Sequence, residues 1–102
     1  MGYRALHDVM AEHGDARRGL YVGEFGYSTE EREGMLATPD RVRADYVGQA
    51  LGAATCTPYV VALSWYYLHP TAWDDPSWTL LDEQGEPNLT YEALATWARS
   101  RP

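Results

Sequence analysis

The chain has 102 residues, of which 45% are apolar, and this length allows one domain at most. Its 15 acidic and 8 basic residues give a net charge of −7, which repels phosphate backbones and argues against nucleic-acid binding. The single cysteine, Cys56, excludes an intrachain disulfide scaffold and a cysteine-based zinc site.

The first two predicted elements are a helix over residues 3–13 and a strand from Leu20 to Phe25. In the helix, Tyr3, Leu6, Met10 and His13 recur on one face, and Gly14 supplies a C-terminal stop. The strand is rich in β-forming residues, and a polar loop over residues 27–37 follows it.

A second helix is predicted from Thr38 to about Ala54. Thr38 provides a hydroxyl cap, Pro39 suits the first helical position, and Asp40 puts an acid in the first turn. The side chains at helical spacing that we expect to form its buried stripe are Val42, Tyr46, Ala50 and Ala53.

The clearest predicted strand runs from Tyr59 to Tyr67, and its nearly continuous apolar run is typical of a strand buried on both faces. A long loop leads to a turn at residues 82–85 and to a last helix from about Leu89 to Arg99, capped by Asn88 or Thr90. The order is therefore α-β-α-β-α, which predicts a βαβ unit with parallel strands. Because two strands are too few for a stable sheet, the pattern indicates part of a larger parallel sheet.

Glu24 is the sharpest chemical feature, because it lies at the C-terminal end of a predicted buried strand. Burying a carboxylate is costly, and folds with parallel strands place their chemistry at this end. The alternative interpretation is that Glu24 ends the strand and simply points into solvent.

Aromatic side chains and acids gather after the second strand. Aromatic rings stack on the apolar faces of sugars and carboxylates accept from sugar hydroxyl groups, so the cluster indicates carbohydrate binding. For Trp65 and Tyr67 the alternative is the core, since alternation along the strand turns one of them inward. The residues of the cluster are Trp65, Tyr67, His69, Trp73, Asp74, Asp75 and Trp78.

Several other classes of site and partner are not expected. His7, His13 and His69 lack the spacing of a metal site, and no metal or organic cofactor is implied. No segment reaches the ~18 to 20 apolar residues of a membrane span, so no membrane partner is expected. The segment 1–8 is too charged for a signal peptide, so the compartment is left open and the export signal of a secreted parent would lie outside this chain.

The segment Tyr21 to Thr29, which reads Tyr-Val-Gly-Glu-Phe-Gly-Tyr-Ser-Thr, resembles the seventh-strand motif of clan A glycoside hydrolases. These are (β/α)8 barrels such as the family 5 cellulases and their family 39 relatives. Residues 38–54 resemble the seventh helix, 59–67 the eighth strand, and 80–94 the turn and start of the eighth helix. The resemblance covers nearly the whole chain and implies an α/β fold, with residues 1–102 as a single partial TIM-barrel domain.

The resemblance implies that Glu24 is the nucleophile of a retaining glycosidase that cleaves a β-linked glycan or glycoside. It implies that Trp65 forms part of the floor of the sugar subsite. The residues that it makes candidates for rim contacts are Tyr27, Tyr67, Trp73 and Trp78.

One catalytic group of the clan has no counterpart in this chain. The acid/base carboxylate belongs to strand four, and a complete barrel takes ~250 residues, of which this chain is roughly the last two-fifths. Asp74 and Asp75 are candidates for the acid within this chain, but nothing in their spacing supports that role. The chain alone is therefore expected to be inactive without the N-terminal barrel portion as a partner.

Two other interpretations stay open. The chain is either a non-catalytic carbohydrate-binding module or a half-barrel that self-associates by pairing exposed strand edges. The sugar, the linkage and the choice between exo and endo action are not indicated, because the loops that set them lie mostly outside this sequence.

Overall fold

The main elements follow one another in the order helix, strand, helix, strand, helix. The computed structural model describes residues 2–71 and 75–101. A short 3₁₀ helix, Pro76–Trp78, precedes the last helix. The main elements are α1 (Gly2–Glu12), β1 (Leu20–Phe25), α2 (Asp40–Thr55), β2 (Val60–Trp65) and α3 (Leu89–Arg99).

The two strands form a parallel sheet, and α2 makes the crossover between them. Leu20 pairs with Val60 at the start of the strands, and Phe25 pairs with Trp65 at their end. The element order and the parallel pairing agree with the sequence-based prediction. The assignment to a (β/α)8 barrel stays a prediction, because a mixed α/β unit with two strands is common to many folds.

The two faces of the sheet have different surroundings. On the side facing α2, Val22, Phe25, Val60 and Leu63 line a small apolar cavity of about 60 Å³, together with Tyr3, Ala50 and Ala54. On the opposite face Tyr21 is 64% exposed and Val61 is 67% exposed. The prediction that β2 is buried on both faces is therefore wrong within the described residues, because α2 covers only one of them.

The inward face of α2 differs from the predicted stripe. The buried residues of the helix are Arg43, Val47, Ala50 and Leu51, so only Ala50 was expected correctly. Tyr46, which the periodicity placed in the core, is 41% exposed. The stripe was wrong because it was built from apolar positions alone, whereas the charge of Arg43 is satisfied inside the protein and its side chain is buried.

The predicted N-terminal caps of α2 and α3 differ in their outcome. α2 begins at Asp40, with Pro39 in the cap position and no side-chain capping bond, so the predicted Thr38 cap is wrong. In α3, Asn88 Oδ1 accepts from the Tyr91 backbone N–H at 2.9 Å, which confirms one of the two predicted caps. The other candidate, Thr90, turns its hydroxyl to Asp40 instead.

α1 lies at the edge of the fold and has no buried residue. Its main attachment is a stack of the His7 ring on the Tyr59 ring, with centroids 3.8 Å apart and planes 5° apart. His7 Nε2 also lies 3.1 Å from the Ala16 carbonyl oxygen, and Tyr3 meets Tyr59 edge to face. The predicted face of α1 is thus only partly used, and Leu6 is 53% exposed.

Candidate functional site

The carboxyl ends of β1 and β2 lie side by side, and Glu24 stands one residue before the point where they end. Phe25 and Trp65 are partners in the register, and the Tyr66 backbone N–H donates to the Phe25 carbonyl at 2.8 Å. Glu24 is exposed, and within the described ranges it has no hydrogen-bond or ion-pair partner. Its carboxylate is therefore open to a ligand, and no cation of the described residues forms an ion pair with it.

Trp65 is held from several sides at this edge. Its indole N–H donates to the Trp78 carbonyl at 3.0 Å, and the Phe25 ring meets it edge to face at 5.5 Å between centroids. The guanidinium carbon of Arg43 lies 5.6 Å from the centroid of the Trp65 ring, within the range of a cation–π contact. Since the residue is only half-buried, its position is fixed without its being part of a sealed core.

Gly26, which follows the Phe25–Trp65 pair, is required by the close approach of the two chains. A Cβ at this position would stand 2.9 Å from the Tyr66 carbonyl oxygen and 3.5 Å from the Trp78 ring. Backbone does not give way as a flexible side chain does, so a larger residue would separate the strand ends. The second glycine of the Gly-Glu-Phe-Gly segment is therefore explained by packing alone.

The other predicted rim residues take different positions. The Tyr27 ring contacts the Phe25 ring edge to face and also packs on the Tyr46 ring of α2, with 5.2 Å between the Tyr27 and Tyr46 centroids. The Tyr27 ring therefore lies on the face of the sheet that α2 covers. The Tyr67 hydroxyl donates to the Asp75 carbonyl at 2.6 Å. Trp78 supplies the carbonyl that holds Trp65, and Trp73 lies outside the described residues.

Asp75 serves as a structural carboxylate. It caps the 3₁₀ helix by accepting from the Ser77 N–H at 3.0 Å, and Arg32 donates to its other oxygen from Nε at 2.9 Å and also from Nη2. Burial raises the pKa of Asp75, but the hydrogen bonds from Ser77 and the hydrogen bonds and charge of Arg32 outweigh it, so the pKa lies below its usual value. A general acid needs the opposite shift, which makes Asp75 unsuited to that role.

Sequence reasoning missed the group that we call the Arg43 cluster, which is Arg43 with its five acceptor residues. Arg43 is 1% exposed, and its N–H groups are used by acceptors from four separate segments of the chain. The acceptors are the Asp40 carboxylate at 2.9 Å, the Thr90 hydroxyl at 2.9 Å, and the carbonyls of Tyr27 at 3.3 Å, Ser77 at 2.9 Å and Thr79 at 3.0 Å. One side chain therefore joins the loop after β1, the loop after β2 and the start of α3.

Asp40 balances the buried charge of Arg43. Besides Arg43, its oxygens accept from the Thr90 hydroxyl at 2.6 Å and from the Leu89 backbone N–H at 2.7 Å. Burial raises the pKa of Asp40, but the bonds from Thr90, Leu89 and Arg43 and the Arg43 charge outweigh it, and the pKa is lowered. The pattern Asp-x-x-Arg at 40–43 was the available signal, because residues three apart meet on one helix face.

A cavity of about 670 Å³ opens beside the Arg43 cluster, between the start of α2 and the turn at 82–84. Asp40 and Arg43 lie on one side of it and Asp82 and Glu83 on the other. Neither Glu24 nor Trp65 lines it, so it is separate from the strand edge. The groups that face it include three acids and one fully bonded arginine, so it offers no free cation for an anionic ligand.

Residues 2–71 and 75–101 contain neither a metal-binding cluster nor a membrane-spanning helix. Within these ranges no group of three or more His, Cys, Asp and Glu side chains is arranged to hold a metal ion. None of the helices in the same ranges is both long enough and apolar enough to cross a membrane. No family model, curated protein or solved structure matches the chain.

Proposed function

We propose that the chain is the nucleophile-bearing part of a retaining glycoside hydrolase, with Glu24 as the attacking carboxylate. The observation that carries the proposal is the position of Glu24, an exposed acid one residue before the paired ends of β1 and β2 at Phe25 and Trp65. Folds with parallel strands and crossover helices place their reacting groups at this end. Trp65, the register partner of Phe25, lies at the same edge of the sheet, and an indole ring suits the apolar face of a sugar.

In the proposed reaction Glu24 attacks the anomeric carbon, the bond to the leaving oxygen breaks, and a glycosyl ester forms on Glu24. A carboxylic acid ~5 to 5.5 Å away gives its proton to the leaving oxygen and later takes one from the water that hydrolyses the ester. Asp75 is committed to Ser77 and Arg32, and Asp74 lies outside the described residues. The proposal therefore assigns the acid/base to the N-terminal part of a complete barrel.

The first half of this reaction can be tested without the acid/base. A glycoside fluorinated at its second carbon with a dinitrophenyl leaving group needs no proton donor, because the phenolate leaves as an anion. The fluorine also slows ester hydrolysis, so the adduct accumulates. We expect mass spectrometry to find one adduct on the peptide that contains Glu24, with gluco-, xylo-, galacto- and manno-configured donors tested in parallel.

The controls separate specific attack from general esterification. Glu24→Gln should abolish the adduct, whereas Glu33→Gln, at an exposed acid of the following loop, should leave it unchanged. The experiment is repeated after co-expression with the N-terminal part of a family 5 barrel. Absence of the Glu24 adduct under both conditions, or its persistence in the Glu24→Gln variant, would contradict the nucleophile assignment.

Self-association is a second candidate, favoured by the open face of the sheet. Tyr21 and Val61 are exposed there, and the Tyr21 hydroxyl shares a 2.7 Å hydrogen bond with the Ser64 hydroxyl across the two strands. A sheet of two parallel strands is marginal unless further strands or a second layer complete it. Sedimentation velocity over a wide concentration range tests this candidate, and a concentration-independent monomer would exclude it.

A further inference from the structure

We infer that Arg43 is a positioning residue for the strand edge, whose guanidinium fixes both the ring of Trp65 and the loops that follow β1 and β2. It does not touch the reacting atoms of the proposed site. The contacts of Arg43 support its role in placing Trp65 without reference to any function. The consequence for sugar binding rests on the proposed function.

The contact with Trp65 is made at two places. The guanidinium carbon lies 5.6 Å from the centroid of the indole ring, which attracts the ring electrostatically. The indole N–H donates to the Trp78 carbonyl, and the carbonyls on either side of it, those of Ser77 and Thr79, both accept from Arg43. Arg43 thus acts on the ring itself and on the segment that supplies the ring's acceptor.

The chemistry of the side chain explains why arginine occupies this position. A planar guanidinium presents five donors in a rigid fork, and here it bonds the Asp40 carboxylate, the Thr90 hydroxyl and three carbonyls together. Burying an ion pair gives little net stability compared with apolar packing. A buried arginine with every donor used is better explained by the geometry that it imposes than by the stability that it adds.

The primary test follows hydrogen exchange at the Trp65 indole N–H by NMR, with the resonance assigned through Trp65→Phe. We expect Arg43→Met to reduce protection of this proton about tenfold, the factor that the loss of one ordinary hydrogen bond permits. Arg43→Lys should also reduce it, because an ammonium cannot reach all of the acceptors at once. The Trp97 indole N–H, which is buried near the other end of α2 and has no hydrogen-bond partner within residues 2–71 and 75–101, serves as the internal reference for protection by burial alone.

Arg41→Met is the matched control, because Arg41 is exposed on the same helix. Exchange is measured well below the unfolding temperature of each variant. A loss of global stability alone would change the protection of the Trp65 and Trp97 indole protons by the same factor. If Arg43→Met does not fold, Arg43→Lys and Thr90→Val provide the comparison. Unchanged Trp65 protection in the folded Arg43 variants, or unprotected exchange in the wild-type protein, would overturn the inference.

The labelling of Glu24 by the fluorinated glycoside tests the consequence for sugar binding. We expect Arg43→Lys to raise the half-saturating donor concentration more than it lowers the limiting labelling rate, because a displaced Trp65 weakens binding. Failure of the wild-type protein to be labelled, both alone and with the N-terminal barrel part, defeats the proposed function, and a loss of Trp65 protection in the Arg43 variants then leaves the placement of Trp65 intact. Identical labelling of both proteins restricts Arg43 to a structural role and overturns its part in sugar binding.

Discussion

Removing the negative charge of Asp40 tests the cost of leaving the buried charge of Arg43 without its counter-ion. In Asp40→Asn one of the two carboxylate oxygens becomes an amide group, so either the Leu89 N–H or the Arg43–Thr90 pair loses its acceptor. The positive charge of Arg43, which is 1% exposed, then has no counter-ion among its partners. Each of these losses acts in the folded protein and favours unfolding.

The expected cost is about 3 kcal/mol. Removing one partner of a buried ion pair costs ~3–5 kcal/mol, and the lower end applies because the Asp40 side chain is 27% exposed and Arg43 keeps its carbonyl acceptors. With the ~1–3 kcal/mol/M dependence of small proteins, the midpoint of urea unfolding should fall by about 1–3 M. Asp45→Asn is the matched control, since Asp45 is exposed on the same helix, and its midpoint should stay unchanged.

The pH dependence of stability tests whether the ionised Asp40 side chain stabilises the folded protein. The folded pKa of Asp40 is lowered, so its contribution to stability is fully present above the unfolded value of ~3.9 and is lost as the pH falls through the folded value. The stability difference between the wild type and Asp40→Asn should be constant from about pH 6 to 8 and shrink below about pH 4. A midpoint equal to that of Asp45→Asn at neutral pH, or a difference that persists undiminished in acid, would refute this reasoning.

Two further substitutions test local packing by urea unfolding. Gly26→Ala should lower the free energy of unfolding by about 1–3 kcal/mol, because its Cβ would meet the Tyr66 carbonyl at 2.9 Å. Gly48→Ala in α2, where space is open around the residue, should raise the free energy of unfolding by up to about 1 kcal/mol. A neutral Gly26→Ala would mean that the strand ends separate without cost. Asn88→Ala should cost about 1–2 kcal/mol through loss of the bond from the Tyr91 N–H and of the bond that Asn88 Nδ2 donates to the Thr79 carbonyl. Asn88→Asp loses the second bond and retains the cap, so it should be more stable than Asn88→Ala, and equal stability of the two variants would count against the cap.

Local signals in the sequence were sufficient for the order of the main elements, although β2 ends at Trp65 and not at the predicted Tyr67. β1 was predicted with its observed bounds, because Leu20 to Phe25 combines β-forming residues with clear breaks on both sides. The last helix was predicted equally well, since the Asn88 cap and the apolar face are determined within a few residues. The position of Glu24 at the end of its strand followed directly from these bounds.

The interactions across the chain could not be predicted in the same way. The acceptors of Arg43 include Ser77, 34 residues away, and Thr90, 47 residues away, and no local pattern indicates that these groups meet. The burial of β2 was overestimated because an apolar run indicates what a strand is suited to contact, not which contacts this chain supplies. The Thr38 cap failed because Asp40 starts the helix and directs its carboxylate to α3.

The shallow attachment of α1 has a consequence for the order in which the fold opens. Regions that bury few side chains open at low free energy, independently of global unfolding. α1 is attached through the contacts of His7 and Tyr3 with Tyr59 and through the contact of His7 with Ala16, whereas α2 and α3 share the Arg43 cluster. We therefore expect Gly2–Glu12 to detach and reattach as a unit while the sheet and the other two helices stay folded, and a protease to cut there first.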